Sequence, residues 1–271
     1  RATDNAGNVS DVVSSDGVTV DHEGPVAGSV ADGVNEDLDW TNSATTLSAH
    51  WNGFSDNLSG IVSYEYSIGT SAGDSNTVDW TLVNLDTSIT RIDLTLVSGT
   101  AYYVSVRGTD ALGNVTLLIA TSDGITVDHY APTVGEPWDG SQSEDLDYQQ
   151  SATTLWLYWT GSDTRELAYY KYAFGTSTGD SNTVSWTYNQ TNTSVQLTNL
   201  SLAEGLTYYG SVRAYDDAGN MSSIVASDGI MIDYTAPDTG SVQDGEGSDL
   251  DYTPSNSQLY AEWSGFADPI S

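Results

Sequence analysis

RATDNAGN at residues 1–8, RGTDALGN at residues 107–114 and RAYDDAGN at residues 213–220 are three copies of one segment, their arginines 106 residues apart each time. A fixed spacing of this size marks an array of similar units and has to be read before any local pattern. The chain keeps the same beat after each copy. SDGVTVDHEGP (15–25), SDGITVDHYAP (122–132) and SDGIMIDYTAP (227–237) come next, followed by DLDW, DLDY and DLDY ending at Trp40, Tyr148 and Tyr252. Then come the runs LSAHWNGFSD from Leu47, LWLYWTGSD from Leu155 and LYAEWSGFAD from Leu259. The beat divides the chain into the C-terminal strands of a partial repeat (1–23), two complete repeats (24–129 and 130–234) and the N-terminal strands of another partial repeat (235–271). The chain is therefore expected to be a piece of a longer repetitive protein, with any targeting signal outside it.

Within a unit the apolar residues recur every second position. Leu47, Ala49 and Trp51 alternate with Ser48 and His50, and Tyr102, Val104 and Val106 alternate with Tyr103, Ser105 and Arg107. Period two predicts half-buried strands, and no sustained 3.6-residue pattern predicts a helix longer than a turn. Six or seven short strands per unit, bounded by Gly, Asn, Asp and Ser clusters, define an all-β chain of tandem antiparallel β-sandwiches. Residues 110–114 (DALGN) and 56–60 (DNLSG) read as the turns, with Gly113 supplying a positive φ and the Asp and Asn side chains bonding their own backbone.

Composition narrows the function. There are 38 acidic residues against six basic ones, a net charge of −32, and Lys171 is the sole lysine. Phosphate binding needs clustered Lys and Arg, so nucleic acid is excluded as a partner. So much negative charge keeps chains soluble, sets units repelling one another and attracts cations. Adaptation of an acidic surface to salty water is the alternative explanation. Without cysteine there is neither a disulfide framework nor thiol chemistry, and no apolar run is long enough to insert this segment in a membrane.

The succession LSAHW, YEYSI and then L-x-x-G-T-x-Y-x-V-x-V resembles a fibronectin type III domain, one of the immunoglobulin-like sandwiches. The resemblance is to the tandem repeats of large prokaryotic extracellular surface proteins: adhesins, fibre and sheath proteins. It implies a core role for Trp51, Trp159 and Trp263, and a tyrosine corner at Tyr102 and Tyr208, six residues after Leu96 and Leu202. The acidic segment at 32–46 departs from the family's usual entry. No Arg-Gly-Asp occurs, so integrin-type binding is not implied.

Catalysis finds little support. His22 and His129 share a repeat position held by Tyr234 in the third copy, and His50 aligns with Tyr158 and Glu262, so neither position demands an imidazole. No nucleophile–base pair or zinc set is visible. The carboxylates suit calcium better, since it takes six to eight hard oxygen ligands. Candidate ligands are Asp21, Glu23, Asp37 and Asp39 at one junction, and Asp128, Asp145 and Asp147 at the next. The turn residues Asp56 and Asp110, or Asp163 and Asp216, are brought by a sandwich to the same pole as the chain entry. A calcium-stiffened junction stands beside the plainer reading of turn chemistry and solvated strand faces. Trp156 and Tyr158 alternate with the buried set and Trp138 replaces Ala31, which makes an exposed aromatic interface for glycans or a neighbouring subunit the third candidate. Residues 69–80 and 175–186 agree at ten of twelve positions, a loop expected to be pinned by its terminal Trp.

The expectation is a non-catalytic structural or adhesive segment of a long extracellular surface or filament protein. Its partners would be neighbouring copies of the same protein, and its only cofactor calcium. The alternative is a set of spacer or carbohydrate-binding modules of a secreted polysaccharide-active enzyme.

Overall fold

The computed structural model describes residues 1–142 and 144–270. The chain divides into two compact units, Arg1–His129 and Tyr130–Ser271. In the first, the strands are β1 (Ser29–Asp32), β2 (Trp40–Thr41), β3 (Leu47–Asn52), β4 (Ile61–Gly69), β5 (Val78–Asn84), β6 (Ser88–Arg91), β7 (Ala101–Asp110), β8 (Ala120–Thr121) and β9 (Ile125–Val127). One sheet runs β1-β3-β6 and the other β2-β9-β7-β4-β5, with β8 also on β7. All pairings are antiparallel except β2 on β9. The strand count exceeds the six or seven expected because β2 and β8 are two-residue pieces too short for any periodicity to reveal.

The core follows the alternation. Leu47, Ala49 and Trp51 of β3 turn inward to meet Tyr66, Ile68, Tyr102, Val104 and Val106 of the facing sheet. Trp51 packs edge-on to Tyr64, ring centroids 5.9 Å apart. The Tyr102 hydroxyl accepts the Val97 N–H at 3.1 Å. This is the tyrosine corner, and it ties the chain entering β7 to the strand that follows.

The second unit repeats the plan with β10 (Thr133–Val134), β11 (Trp138–Asp139), β12 (Tyr148–Gln149), β13 (Leu155–Tyr158), β14 (Gly161–Ser162), β15 (Leu167–Gly175), β16 (Val184–Tyr188), β17 (Ser194–Leu197), β18 (Thr207–Asp216), β19 (Val225–Ala226) and β20 (Ile230–Ile232). Its sheets are β11-β13-β17 and β12-β20-β18-β15-β16, and β12 pairs in parallel with β20. Tyr208 accepts the Ala203 N–H at 2.9 Å. The two cores differ by a compensated exchange. The first holds Ala49 and Val104, while the second holds Leu157 and Gly210 at the same positions. A Cβ added at Gly210 would lie 2.3 Å from a Leu157 methyl, so the larger residue on one sheet fills the space the smaller one leaves on the other. The third copy contributes the hairpin β21 (Ser241–Asp244) and β22 (Ala261–Ser264), where Trp263 is 72% exposed against 2% and 1% for Trp51 and Trp159.

The acidic segment inserted after β1 has a structural task. In all three copies its first Asp starts a tight loop: the N–H of Asp32, Asp139 and Asp244 donates to Oδ1 of Asp37, Asp145 and Asp249. The following glycine has φ of +89°, +100° and +101° (Gly33, Gly140, Gly245), a conformation that disfavours any side chain. Leu38, Leu146 and Leu250 return over that glycine and donate their N–H to the carbonyl of the first Asp. In the two complete copies the next residue then accepts from the last strand, Thr126 N–H to the Asp39 carbonyl and Met231 N–H to the Asp147 carbonyl, each at 2.8 Å. The insertion is therefore a clip that lays a parallel edge strand on the last strand of its own sandwich.

Candidate metal centre

The turn after β7 is built the same way three times. Asp110 Oδ1 accepts the N–H groups of Leu112 and Asn114, and its Oδ2 accepts the Asn114 amide at 2.8 Å. Asp4 with Asn8, and Asp216 with Asn220, repeat the pattern. These bonds hold the Asp110 carboxylate at a fixed place and keep it ionised: burial acts to raise its pKa, but the bonds from Asn114, Ser59 and Leu112 outweigh that and hold it below the usual carboxylate range. The turn before β4 is fixed by Asp56, whose Oδ1 takes the N–H groups of Leu58, Ser59 and Gly60. The linker supplies the third element. Pro25 is buried, and Gly24 passes so close to the turn after β7 that a Cβ there would sit 2.1 Å from the Val115 carbonyl oxygen.

These three elements bring Asp21, Asp56 and Asp110 together, one carboxylate oxygen from each lying within 4.8 Å of the others. Asp21 is 8% exposed. Its Oδ1 accepts the Glu23 N–H, while its Oδ2 is buried without a hydrogen-bond partner. A buried carboxylate with an unpartnered oxygen, set beside two more carboxylates, is costly unless a cation or proton joins it. The three oxygens are a hard donor set that fits a calcium ion whose remaining ligands come from carbonyls and water.

The other candidate residues separate into groups. Within the second unit Asp163 and Asp216 converge as Asp56 and Asp110 do. Asp163 Oδ1 takes the Arg165 N–H at 2.7 Å, and its Oδ2 is buried and unpartnered. Asp128, at the repeat position of Asp21, is buried and accepts the Ser98 hydroxyl at 3.3 Å. Glu23 is exposed and meets the Asp21 carboxylate through its main chain only. Asp37, Asp39, Asp145 and Asp147 do not join the Asp21 cluster: they belong to the clip, where Asp37 and Asp145 cap the loop and Asp39 and Asp147 contribute carbonyls. β1 carries the chain away from the linker before the clip begins.

A second convergence joins Asp32, Asp37 and Asp123, again within 4.8 Å. Asp32 and its counterpart Asp139 are both 0% exposed. Burial pushes each up to about 7, aided by Asp37 and Asp123 around Asp32 and by Asp145 and Asp228 around Asp139. Ser122, Ser227 and the amides of Gly124 and Gly229 oppose the rise. Asp123 went unassigned as a candidate ligand in the sequence, although the SDG beat that contains it is one of its plainest signals.

The aromatic candidates are half-buried rather than a bare exposed face. Trp138 and Tyr158 pair across β11 and β13 with rings stacked 5.6 Å apart, and Trp156 continues the stack at 6.0 Å. Each ring turns part of its face to a neighbouring ring, which explains the half-burial. The 69–80 loop is held by hydrogen bonds, not by its Trp. Gly73 N–H donates to Ser105 Oγ, and Asn76 links both ways to Thr70. Gly179, Asn182 and Thr176 repeat this. Trp80 lies on the outer face beneath the Arg107 guanidinium, 4.3 Å from its centroid.

No family model matches the chain. Its sequence is 28% identical over 251 residues to exoglucanase B of Cellulomonas fimi, covering 89% of this chain. The chain spans 20% of that protein's length. Among solved structures it is similar to the FN1-FN3 domains of chicken CNTN1, at 16% identity and a TM-score of 0.41, covering 75% of this chain and 67% of that one. It is also similar to a Ca2+-stabilized adhesin that helps an Antarctic bacterium reach out and bind ice, at 22% identity and a TM-score of 0.39, covering 90% of this chain and 57% of that one. No helix among the described residues is long and apolar enough to cross a membrane.

Proposed function

We propose that this chain is a structural repeat segment of a long extracellular surface or filament protein, in which calcium fixes each linker to the sandwich that follows it. The observation that carries the reading is the meeting of Asp21, on the linker, with Asp56 and Asp110, on two rigid turns. An ion there exchanges three mutually repelling carboxylates for three ligands and removes the linker's freedom to swing. Repetition of the same turn at Asp4, Asp110 and Asp216 supports an array in which each linker meets an equivalent pole. Electron microscopy of the native material with and without a calcium chelator tests the reading. Ordered filaments that loosen on chelation support it; dispersed single molecules in both conditions overturn the filament role.

The likeness to exoglucanase B favours a second reading, in which such units are spacers in a secreted polysaccharide-active enzyme. Glycan binding by the Trp138, Tyr158 and Trp156 stack would turn the spacer into a binding module. Binding of soluble cellulose oligosaccharides that is lost in Trp156→Ala supports this second reading, and no binding opposes it.

A further inference from the structure

We propose that each sandwich carries a divalent-cation site of its own, away from the linker, formed in the first unit by Asp32, Asp37 and Asp123. Asp32 ends β1, and one of its oxygens accepts the Gly124 N–H at 3.1 Å. The other, Oδ1, is buried with no partner on a side chain that is 0% exposed. The Asp32 carboxylate meets those of Asp37, from the clip, and Asp123, from the turn that leads into β9, one oxygen of each lying within 4.8 Å of the others. Three carboxylates from three separate segments, one dry and two open to solvent, suit a hard cation of the calcium type that keeps part of its water. Magnesium, which demands near-ideal octahedral geometry and gives up its water reluctantly, fits this set less well.

The second unit supplies independent support. Asp139 occupies the position of Asp32 and is likewise 0% exposed; neither carboxylate oxygen has a donor at hydrogen-bond geometry, although Ser227 and the Gly229 amide stand near enough to favour its charged form. The loop from Asp139 to Asp145 is one residue longer than that from Asp32 to Asp37, yet its carboxylate caps the same main-chain N–H. A loop that changes length while preserving a buried, unpaired carboxylate is costly as plain turn chemistry. As a ligand cage it is understandable. The ion would tie the first strand to the last, the two places where a pull along the chain enters and leaves a sandwich.

The test is equilibrium dialysis of the whole 271-residue chain against radioactive calcium in the millimolar range, with thermal melting as a second readout. Asp123→Asn and Asp228→Asn alter exposed side chains and are expected to remove one bound calcium each, and two in combination. Asp32→Asn guards against misfolding: it removes the buried charge, so it is expected to melt no lower than the parent in chelator while losing part of the calcium-induced rise. Asp56→Asn, in the Asp21 cluster, is expected to leave the Asp32 site loaded, which separates the two sites. Unchanged calcium stoichiometry in Asp123→Asn and Asp32→Asn, with the full calcium-induced rise in melting temperature, would overturn the proposal.

Discussion

The exchange of Ala49 and Val104 for Leu157 and Gly210 makes a sharp test of how the sandwiches are packed. Leu157→Ala deletes three carbons from a side chain that is 0% exposed, in a core with no slack around it. Lost transfer energy and the residual cavity together cost about 3 kcal/mol. Gly210→Val adds three carbons where a Cβ alone would already sit 2.3 Å from a Leu157 methyl. The backbone at Gly210 is extended, so the penalty is overpacking, about 2 kcal/mol or more. Were the two sites independent, the double variant would lose roughly 5 kcal/mol. The first sandwich already uses the swapped pair, so the double variant is expected to lose less than about 1.5 kcal/mol, a coupling of about 3.5 kcal/mol or more. Urea unfolding followed by near-ultraviolet circular dichroism reads this directly, provided m is unchanged across the series. A double variant as unstable as the sum of the singles would refute the claim that the two positions share one volume.

Further outcomes follow from other contacts. Tyr102→Phe and Tyr208→Phe each strand a main-chain N–H and should cost about 1 kcal/mol in the same unfolding assay, with no change in calcium affinity. Gly24→Ala pushes a methyl into the Val115 carbonyl and should weaken calcium binding measured by calorimetry, although it removes no carboxylate. In chelator, stability should fall as pH rises from about 4 to 7. The folded state holds protons on Asp32 and Asp139, both raised to about 7, that the unfolded chain has already released, so stability is greatest below the unfolded pKa and is lost up to the folded one. A shift of that size, reduced by the solvent reaching Asp37 and Asp123, amounts to roughly 2 kcal/mol per site. Thermal melts between pH 4 and 8 check it, and a rise in stability over that window would contradict it.

The fold was legible because each core strand carries its own alternation: Leu47, Ala49 and Trp51 announce both the strand and its inward face. The tyrosine corner and the Asp110 turn were legible for the same reason, being local patterns repeated at fixed spacing. What stayed hidden depends on contacts distant in sequence. Asp32 and Asp123 meet only because β1 of one sheet and the turn before β9 of the other are brought together when the two sheets pack, and no spacing along the chain records that. The capping of main-chain N–H groups by Asp37 and Asp145 was not legible either, because Asp-Gly and Asp-Leu-Asp look alike whether the carboxylates bind ions or cap main-chain N–H groups. The aromatic stack was legible in its alternation, but not in the way its rings cover one another.

The central claim is that a cation fixes the linker, and hydrogen–deuterium exchange of the main-chain amides at residues 21–26, 56–60 and 110–116 tests it most directly. Calcium is expected to slow exchange across all three segments together, and Asp56→Asn is expected to abolish that slowing at the linker while the core of β3 and β7 exchanges as before. Equal exchange at the linker with and without calcium would contradict the account.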